Sequence, residues 1–165
     1  MKKGMFAILS AVLVFVLSFN SAEAAPKITI AKANHIYKQA SNAQWSINKP
    51  VTKTTIYKRL NPYFEKRYID GYFKANYTVK TKKNGKTYYE IPPTDFVPGL
   101  LWKRTFSWTS KTKIRQYEKN SMDYLTIYEE QPEYGLDDPH TIYYKFRKKI
   151  KSKTYKVYDY AKNYW

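Results

Sequence analysis

The chain has no cysteine anywhere in its 165 residues, and that one absence removes several classes of protein. Disulfides, thiol nucleophiles, iron–sulfur clusters and cysteine zinc sites all require a residue that is missing. A lipid anchor on cysteine is excluded for the same reason. Histidine is nearly absent as well: His35 and His140 are the only two, and they do not stand at the spacing of a paired metal ligand. With five glycines there is no phosphate-cradling or dinucleotide loop, and no Gly-x-Ser-x-Gly turn to present a nucleophile. Acidic side chains are scarce too, 13 Asp+Glu against 30 Lys+Arg. Long apolar runs are confined to a single stretch at the start.

That stretch has the anatomy of a secretory signal. Lys2 and Lys3 form a basic opening, Met5 to Phe19 is an almost unbroken apolar run, and Ala22-Glu23-Ala24 places small residues at both positions a signal peptidase reads. The run is short of the roughly 20 apolar residues a spanning helix needs. The expectation is a signal peptide over residues 1–24, cleaved after about Ala24. Residues 25–165 then form a single secreted domain with no transmembrane anchor in the mature chain. An exported domain without disulfides depends on its core alone, which fits a bacterial chain, with a lean to a single-membrane envelope.

What is abundant is positive charge and tyrosine. The formal net charge is +17, nearly all of it after Ala24. A surplus of that size attracts polyanions over long range, although it also serves solubility alone. All 18 tyrosines, and Trp45, Trp102, Trp108 and Trp165, lie after the leader. Tyrosine favours strands and carries a broad amphipathic ring. Tyr143-Tyr144-Lys145-Phe146-Arg147-Lys148-Lys149 and Tyr155-Lys156-Val157-Tyr158 have the ring-and-cation texture of a stacking platform. Plain strand alternation produces the same texture.

Apolar residues at Ile30, Ala33, Tyr37, Ala40 and Ile47 predict a first helix over about Ile30–Ile47, with Thr29 as N-cap and Asn48-Lys49-Pro50 as its stop. A shorter helical segment follows over Thr52–Leu60. Asn61-Pro62 then reads as the cap and first residue of another helix, reaching Tyr77. Beyond it the pattern turns to strands. Asn84-Gly85 predicts a hairpin between Tyr77–Lys82 and Lys86–Ile91, ended by Pro92-Pro93. Leu101–Trp108 reads as a strand with Trp102, Arg104, Phe106 and Trp108 on one face, and Tyr124–Tyr128 as another. A polar loop is expected from Glu129 to Pro139, then a pair, His140–Ile150 and Thr154–Tyr160. Helices followed by antiparallel strands make an α+β fold, with the N-terminal helices packed on a curved antiparallel sheet that forms a cone with an internal pocket.

Ala43-Gln44-Trp45-Ser46-Ile47, Leu60-Asn61-Pro62-Tyr63-Phe64, Thr94-Asp95-Phe96-Val97-Pro98, Ile127-Tyr128-Glu129 and Tyr155-Lys156-Val157-Tyr158 occur in that order. This order resembles a family of small exported Bacillus-type proteins of unknown function, whose helix-then-sheet plan is similar to the NTF2-like (cystatin-like) cone. The likeness runs from about Ile30 to Tyr160. It implies fold and location; the family brings no catalytic residue to carry over.

No constellation of residues points to catalysis, a metal or a cofactor. Asp137-Asp138-Pro139-His140 reads as a solvated loop. Asp95 is the one candidate base for a cone pocket, where burial would raise its pKa, yet after Pro92-Pro93 it equally reads as a turn residue whose carboxylate accepts local backbone N–H groups. His140 with Glu129 or Glu130 as a nuclease pair rests on basic charge alone. Arg104 beside Trp102 and Trp108 reads as a cation–π group or a pocket anion contact. The candidate binding residues are therefore Trp102, Arg104, Trp108, Lys145, Arg147, Lys149 and Asp95. The leading expectation is a non-enzymatic, wall-associated protein that binds anionic cell-wall polymers or an envelope protein. The alternatives are an inhibitor or regulator of a secreted wall enzyme, and a small-ligand or isomerase-like pocket protein. Nucleic acid is disfavoured, because no recognised module is present.

Overall fold

The computed structural model describes residues 28–92, 106–133 and 138–164, with backbone only from 160 onward. Helix α1 spans Ile30–Trp45. Thr29 caps it as expected, its hydroxyl accepting the Lys32 N–H at 3.2 Å. One stripe of α1 is buried, through Ala33, Ile36, Tyr37, Ala40 and Gln44, at the spacing of a helix lying on a core.

Strand β1, Val51–Thr52, is two residues long. Thr52 also caps helix α2, Lys53–Leu60, by accepting the Thr55 N–H at 3.3 Å. Asn61-Pro62 does not open the next helix. Asn61 closes α2 with its N–H on the Tyr57 carbonyl, and the chain then turns through residues 61–63 and passes beside strand β7, which spans Lys156–Tyr164. The Val157 N–H donates to Tyr63 O at 2.8 Å and the Glu65 N–H to Val157 O at 3.0 Å. Phe64 thereby forms a parallel bridge with Val157. These pairings satisfy backbone groups that a helix begun at Pro62 would have left to solvent. Helix α3 starts only at Lys66 and ends at Asn76.

Strands β2, Thr78–Lys83, and β3, Lys86–Glu90, form the expected hairpin. Asn84 and Gly85 both have positive φ, 51° and 69°, as a two-residue type I′ turn requires. With β1 they make a three-stranded sheet in the order β1-β3-β2. Strands β4, Lys113–Lys119, β5, Met122–Gln131, and β6, His140–Lys149, join β7 in a second sheet ordered β4-β5-β6-β7. All its pairings are antiparallel. The protein is thus α+β, as the sequence predicts, but its described strands divide between two sheets instead of forming one curved sheet.

Other differences are local. The Glu129–Pro139 loop is shorter than expected, because Glu129 to Gln131 continue β5 beside His140 to Ile142. Most of the predicted Leu101–Trp108 strand lies outside the described residues. Its last part, Phe106 to Trp108, is not strand, and Trp108 sits at φ 58°, a left-handed conformation no strand contains.

One face of the larger sheet carries the core. Leu125, Ile127, Tyr144, Phe146 and Val157 turn inward against Ala33, Tyr37, Ile56, Leu60, Phe64 and Ile69. Tyr37 meets Phe106, Tyr144 and Trp108 with ring centroids 5.4–5.5 Å apart. Each aliphatic side chain buried here contributes about 1.5–3 kcal/mol. Among the described residues no helix lies on the opposite face of that sheet.

Candidate functional site

Strand alternation decides what the open face displays. With Leu125, Ile127, Tyr144 and Phe146 turned inward, their neighbours Tyr124, Thr126, Tyr128, Tyr143, Lys145 and Arg147 turn outward. On β4, Arg115 lies opposite Thr126, and Tyr117 opposite Tyr124. On β7 a bulge intervenes: Phe146 pairs with Val157 but Lys145 with Asp159, so Tyr158 is the extra residue. A bulge re-aims side chains, and here Tyr158 reaches the rings of the outer face.

The result is a continuous row of rings and cations across four strands. The Arg115 guanidinium lies 5.8 Å from the Tyr117 ring. Tyr117 and Tyr124 stack at 4.9 Å with 4° between their planes. Tyr124 meets Tyr158 edge-on at 5.9 Å, and the Arg147 guanidinium covers Tyr158 at 4.8 Å. Beside the row, Lys145 Nζ sits 4.8 Å from the Tyr143 ring. Arg115, Tyr128, Tyr143, Lys145 and Tyr158 line a shallow groove of about 460 Å³.

The cations differ in their freedom. Arg147 donates from Nε and Nη2 to both carboxylate oxygens of Glu65, the second at 2.8 Å. Glu65 pushes the Arg147 pKa up. Lys145 donates to Asp159 at 2.9 Å, and that hydrogen bond raises the Lys145 pKa against the opposing effect of burial. Burial pushes the Tyr158 phenol up. Arg115 and Lys149 are exposed and make no ion pair among the described residues. An incoming anion therefore meets Arg115 and Lys149 as available charges and the tyrosine rings as contact area.

Two further polar clusters sit at the core. Asp123, on β5, is buried and accepts from Gln116 Nε2 at 3.1 Å and from the Tyr155 hydroxyl, with Lys148 Nζ at 3.4 Å. Gln116 Oε1 in turn accepts the Ile28 N–H at 2.9 Å. Burial first, and Asp123 second, raise the Tyr155 pKa. The cluster lies at the base of a cleft of about 580 Å³ beside α1, with His35 and Lys32 on its helical wall. Because its donors and acceptors are matched to one another, it ties the start of α1 to the sheet. Glu129, also buried, accepts the Ser107 N–H at 2.9 Å, the Ser107 hydroxyl at 2.9 Å, the Thr112 hydroxyl at 2.6 Å and Gln131 Nε2 at 3.1 Å. It fastens the segment leading into β4. His140 is buried, with Nδ1 2.7 Å from the Asp138 carbonyl.

Of the residues singled out from sequence, Lys145, Arg147 and Lys149 share β6 and its outer face. Trp108 belongs to the core cluster on the other side of the sheet, against Tyr37 and Phe106. Asp95, Trp102 and Arg104 lie outside the described residues. Sequence reasoning missed Arg115 and Tyr117 as members of a site because it did not foresee β4, and missed Tyr124, on an expected strand, because its stacking partner Tyr117 lies on β4. The available signal was the alternation Lys113-Ile114-Arg115-Gln116-Tyr117, followed by the two-residue turn Asn120-Ser121.

Among the described residues no helix is long and apolar enough to cross a membrane, and no group of His, Asp or Glu could hold a metal ion. Fold and face together define an α+β protein with an open aromatic–cation sheet. Residues 30–131 match the model of a family described as protein of unknown function (DUF3993), and the chain belongs to that family. The matched span runs from α1 through β5, and so includes Arg115, Tyr117 and Tyr124. No curated protein and no solved structure gives a match.

Proposed function

We propose that this is an exported, non-enzymatic protein that binds phosphate-bearing polymers of the cell envelope on the open face of its four-stranded sheet. The observation that carries the reading is the row Arg115–Tyr117–Tyr124–Tyr158–Arg147. It sets three rings between two cations across a surface that no other described element covers, in a chain of formal net charge +17. Rings supply area for the apolar faces of sugar or polyol units, and exposed cations meet the phosphates. The secretory leader read in residues 1–24 supports the location, and the wall is where an exported cationic domain meets such polymers. The placing of all three described helices ahead of the four-stranded antiparallel sheet is in keeping with the NTF2-like plan that the sequence resembles.

The test is retention on a phosphate-bearing polymer as salt is raised, beside a neutral polymer of the same length. Retention should fall steeply with salt, since exposed charges are screened within about 10 Å at 0.1 M, and Arg115→Ala should weaken it. Equal retention on both polymers, or salt-insensitive retention, contradicts the proposal. Recovery of one wall enzyme in stoichiometric amount after polymer digestion points instead to a regulator of that enzyme.

A further inference from the structure

The β2–β3 hairpin packs on the core only at its base, through Tyr89, and its tip stands clear. Every residue of β2 is exposed, Val79 included at 55%. Between Asp70 and Glu90 the sequence has no acidic residue, but it has Lys74, Lys80, Lys82, Lys83 and Lys86. Lys80 is the extra residue of a bulge, and its Nζ meets Glu90 at 2.9 Å. At the tip, Lys83 and Lys86 are direct cross-strand partners on either side of the Asn84-Gly85 turn. Like charges directly opposite one another destabilise a hairpin, and no acidic side chain is paired with either lysine. Lys82, paired with Thr87, alternates to the other face of the ribbon. Edge strands carry lysine to deter aggregation. That purpose is served by charge along the strand, and it does not require two ammoniums opposed across the turn. Departures from local consistency of this kind collect at functional sites.

We propose that the tip of this hairpin, through Lys82, Lys83 and Lys86, is a second phosphate-binding element. It rests on the reading of the sheet face as a polyanion site and extends it. The I′ turn holds the two lysines on one rigid tip, where a single phosphate bridging them removes their mutual repulsion. With the sheet face as the other contact, one polymer chain is held at two points, which raises avidity without a new contact at either.

The experiment measures binding of long-chain inorganic polyphosphate as a function of salt, together with thermal stability. It compares the protein with Lys83→Ala/Lys86→Ala and with Arg115→Ala/Lys149→Ala. Each phosphate neutralised on a single-stranded polyanion adds about 0.7 to the log–log salt slope. The hairpin variant should therefore lose about 0.7 from that slope, with its melting temperature unchanged or raised. Lys83→Arg/Lys86→Arg keeps both charges and should keep the wild-type slope. If the hairpin variant binds like the wild type while the face variant weakens, the hairpin proposal is overturned and the face reading stands. If the hairpin variant weakens and the face variant does not, the hairpin proposal stands and the face reading falls. If the wild type binds no polyphosphate, both fall. A loss that also appears in the arginine variant overturns the hairpin proposal, because it marks a structural effect and not one of charge.

Discussion

Glu65 and Arg147 face each other as a two-pronged ion pair, both guanidinium nitrogens of one edge meeting both carboxylate oxygens of the other. Glu65 occupies the N-cap position of α3 but makes no capping bond with its side chain. It holds Arg147 over the Tyr158 ring instead, and so fixes one end of the ring-and-cation row to the entrance of a helix. Glu65→Ala leaves a partly buried guanidinium without its partner and should cost about 1–3 kcal/mol in denaturant unfolding. Glu65→Gln, which keeps one acceptor, should cost less. Equal stability of all three proteins would show that the pair does not anchor the face.

Removing the stacked rings should separate binding from folding. Tyr117 and Tyr124 lie on the open face, and losing their stacking should cost about 0.5–1.5 kcal/mol. Tyr117→Ala and Tyr124→Ala should weaken polymer retention, whereas the Phe variants should keep it. A double-mutant cycle checks that the two rings act as a unit. Additive effects would contradict that.

The β4–β5 turn carries strain at Ser121, which sits at φ 59° beside Asn120 at φ 51°. A left-handed conformation costs a side-chain-bearing residue about 1–2 kcal/mol, and glycine adopts it freely at some entropic cost. Ser121→Gly should therefore raise stability, by up to about 1 kcal/mol. Gly85 at φ 69° predicts the reverse sign, with Gly85→Ala destabilising. Melting curves of the two variants check both directions.

Alkaline titration should reveal two classes of phenol. Burial raises Tyr57 and Tyr77 from 10.0 to about 12, with the Asp70 carboxylate adding to the shift at Tyr57. For a pKa raised by folding, the stabilising contribution is fully present below pH 10.0 and is lost as pH rises through about 12. Stability should fall over that window. Phenolate absorbance should show a late component that shrinks in Tyr57→Phe and Tyr77→Phe. Titration of all tyrosines together near pH 10, with the fold intact, would contradict these environments.

The helices were legible where their ends are marked by short polar residues. Thr29 caps its helix as its position predicts, because capping is a local event, and Thr52, read as the first residue of the second helix, is its N-cap. Asn61-Pro62 misled for a tertiary reason: the backbone around Phe64 pairs with Val157, far along the chain, and no local pattern announces that partner. Strand β4 escaped because Lys113-Ile114-Arg115-Gln116-Tyr117-Glu118-Lys119 offers one aliphatic side chain, Ile114, among charged and polar neighbours. Beyond Ile114 its inner face is completed by Gln116 bonding to Asp123. The β6 half of the binding face was visible in its ring-and-cation texture. The β4 half needed the register that puts Tyr117 beside Tyr124, and a two-residue turn made of Asn-Ser gives a weaker sign than Asn-Gly.

The most direct test of the central claim is a map of backbone amide shifts as long-chain polyphosphate is added to the isotopically labelled protein. The account predicts that shifts concentrate on the outer positions of β4 to β7, at Arg115, Tyr117, Tyr124, Lys145 and Tyr158, with a second set at Lys82 to Lys86. Shifts confined to the Asp123 cleft and its α1 wall, or spread evenly over every exposed lysine, would contradict it.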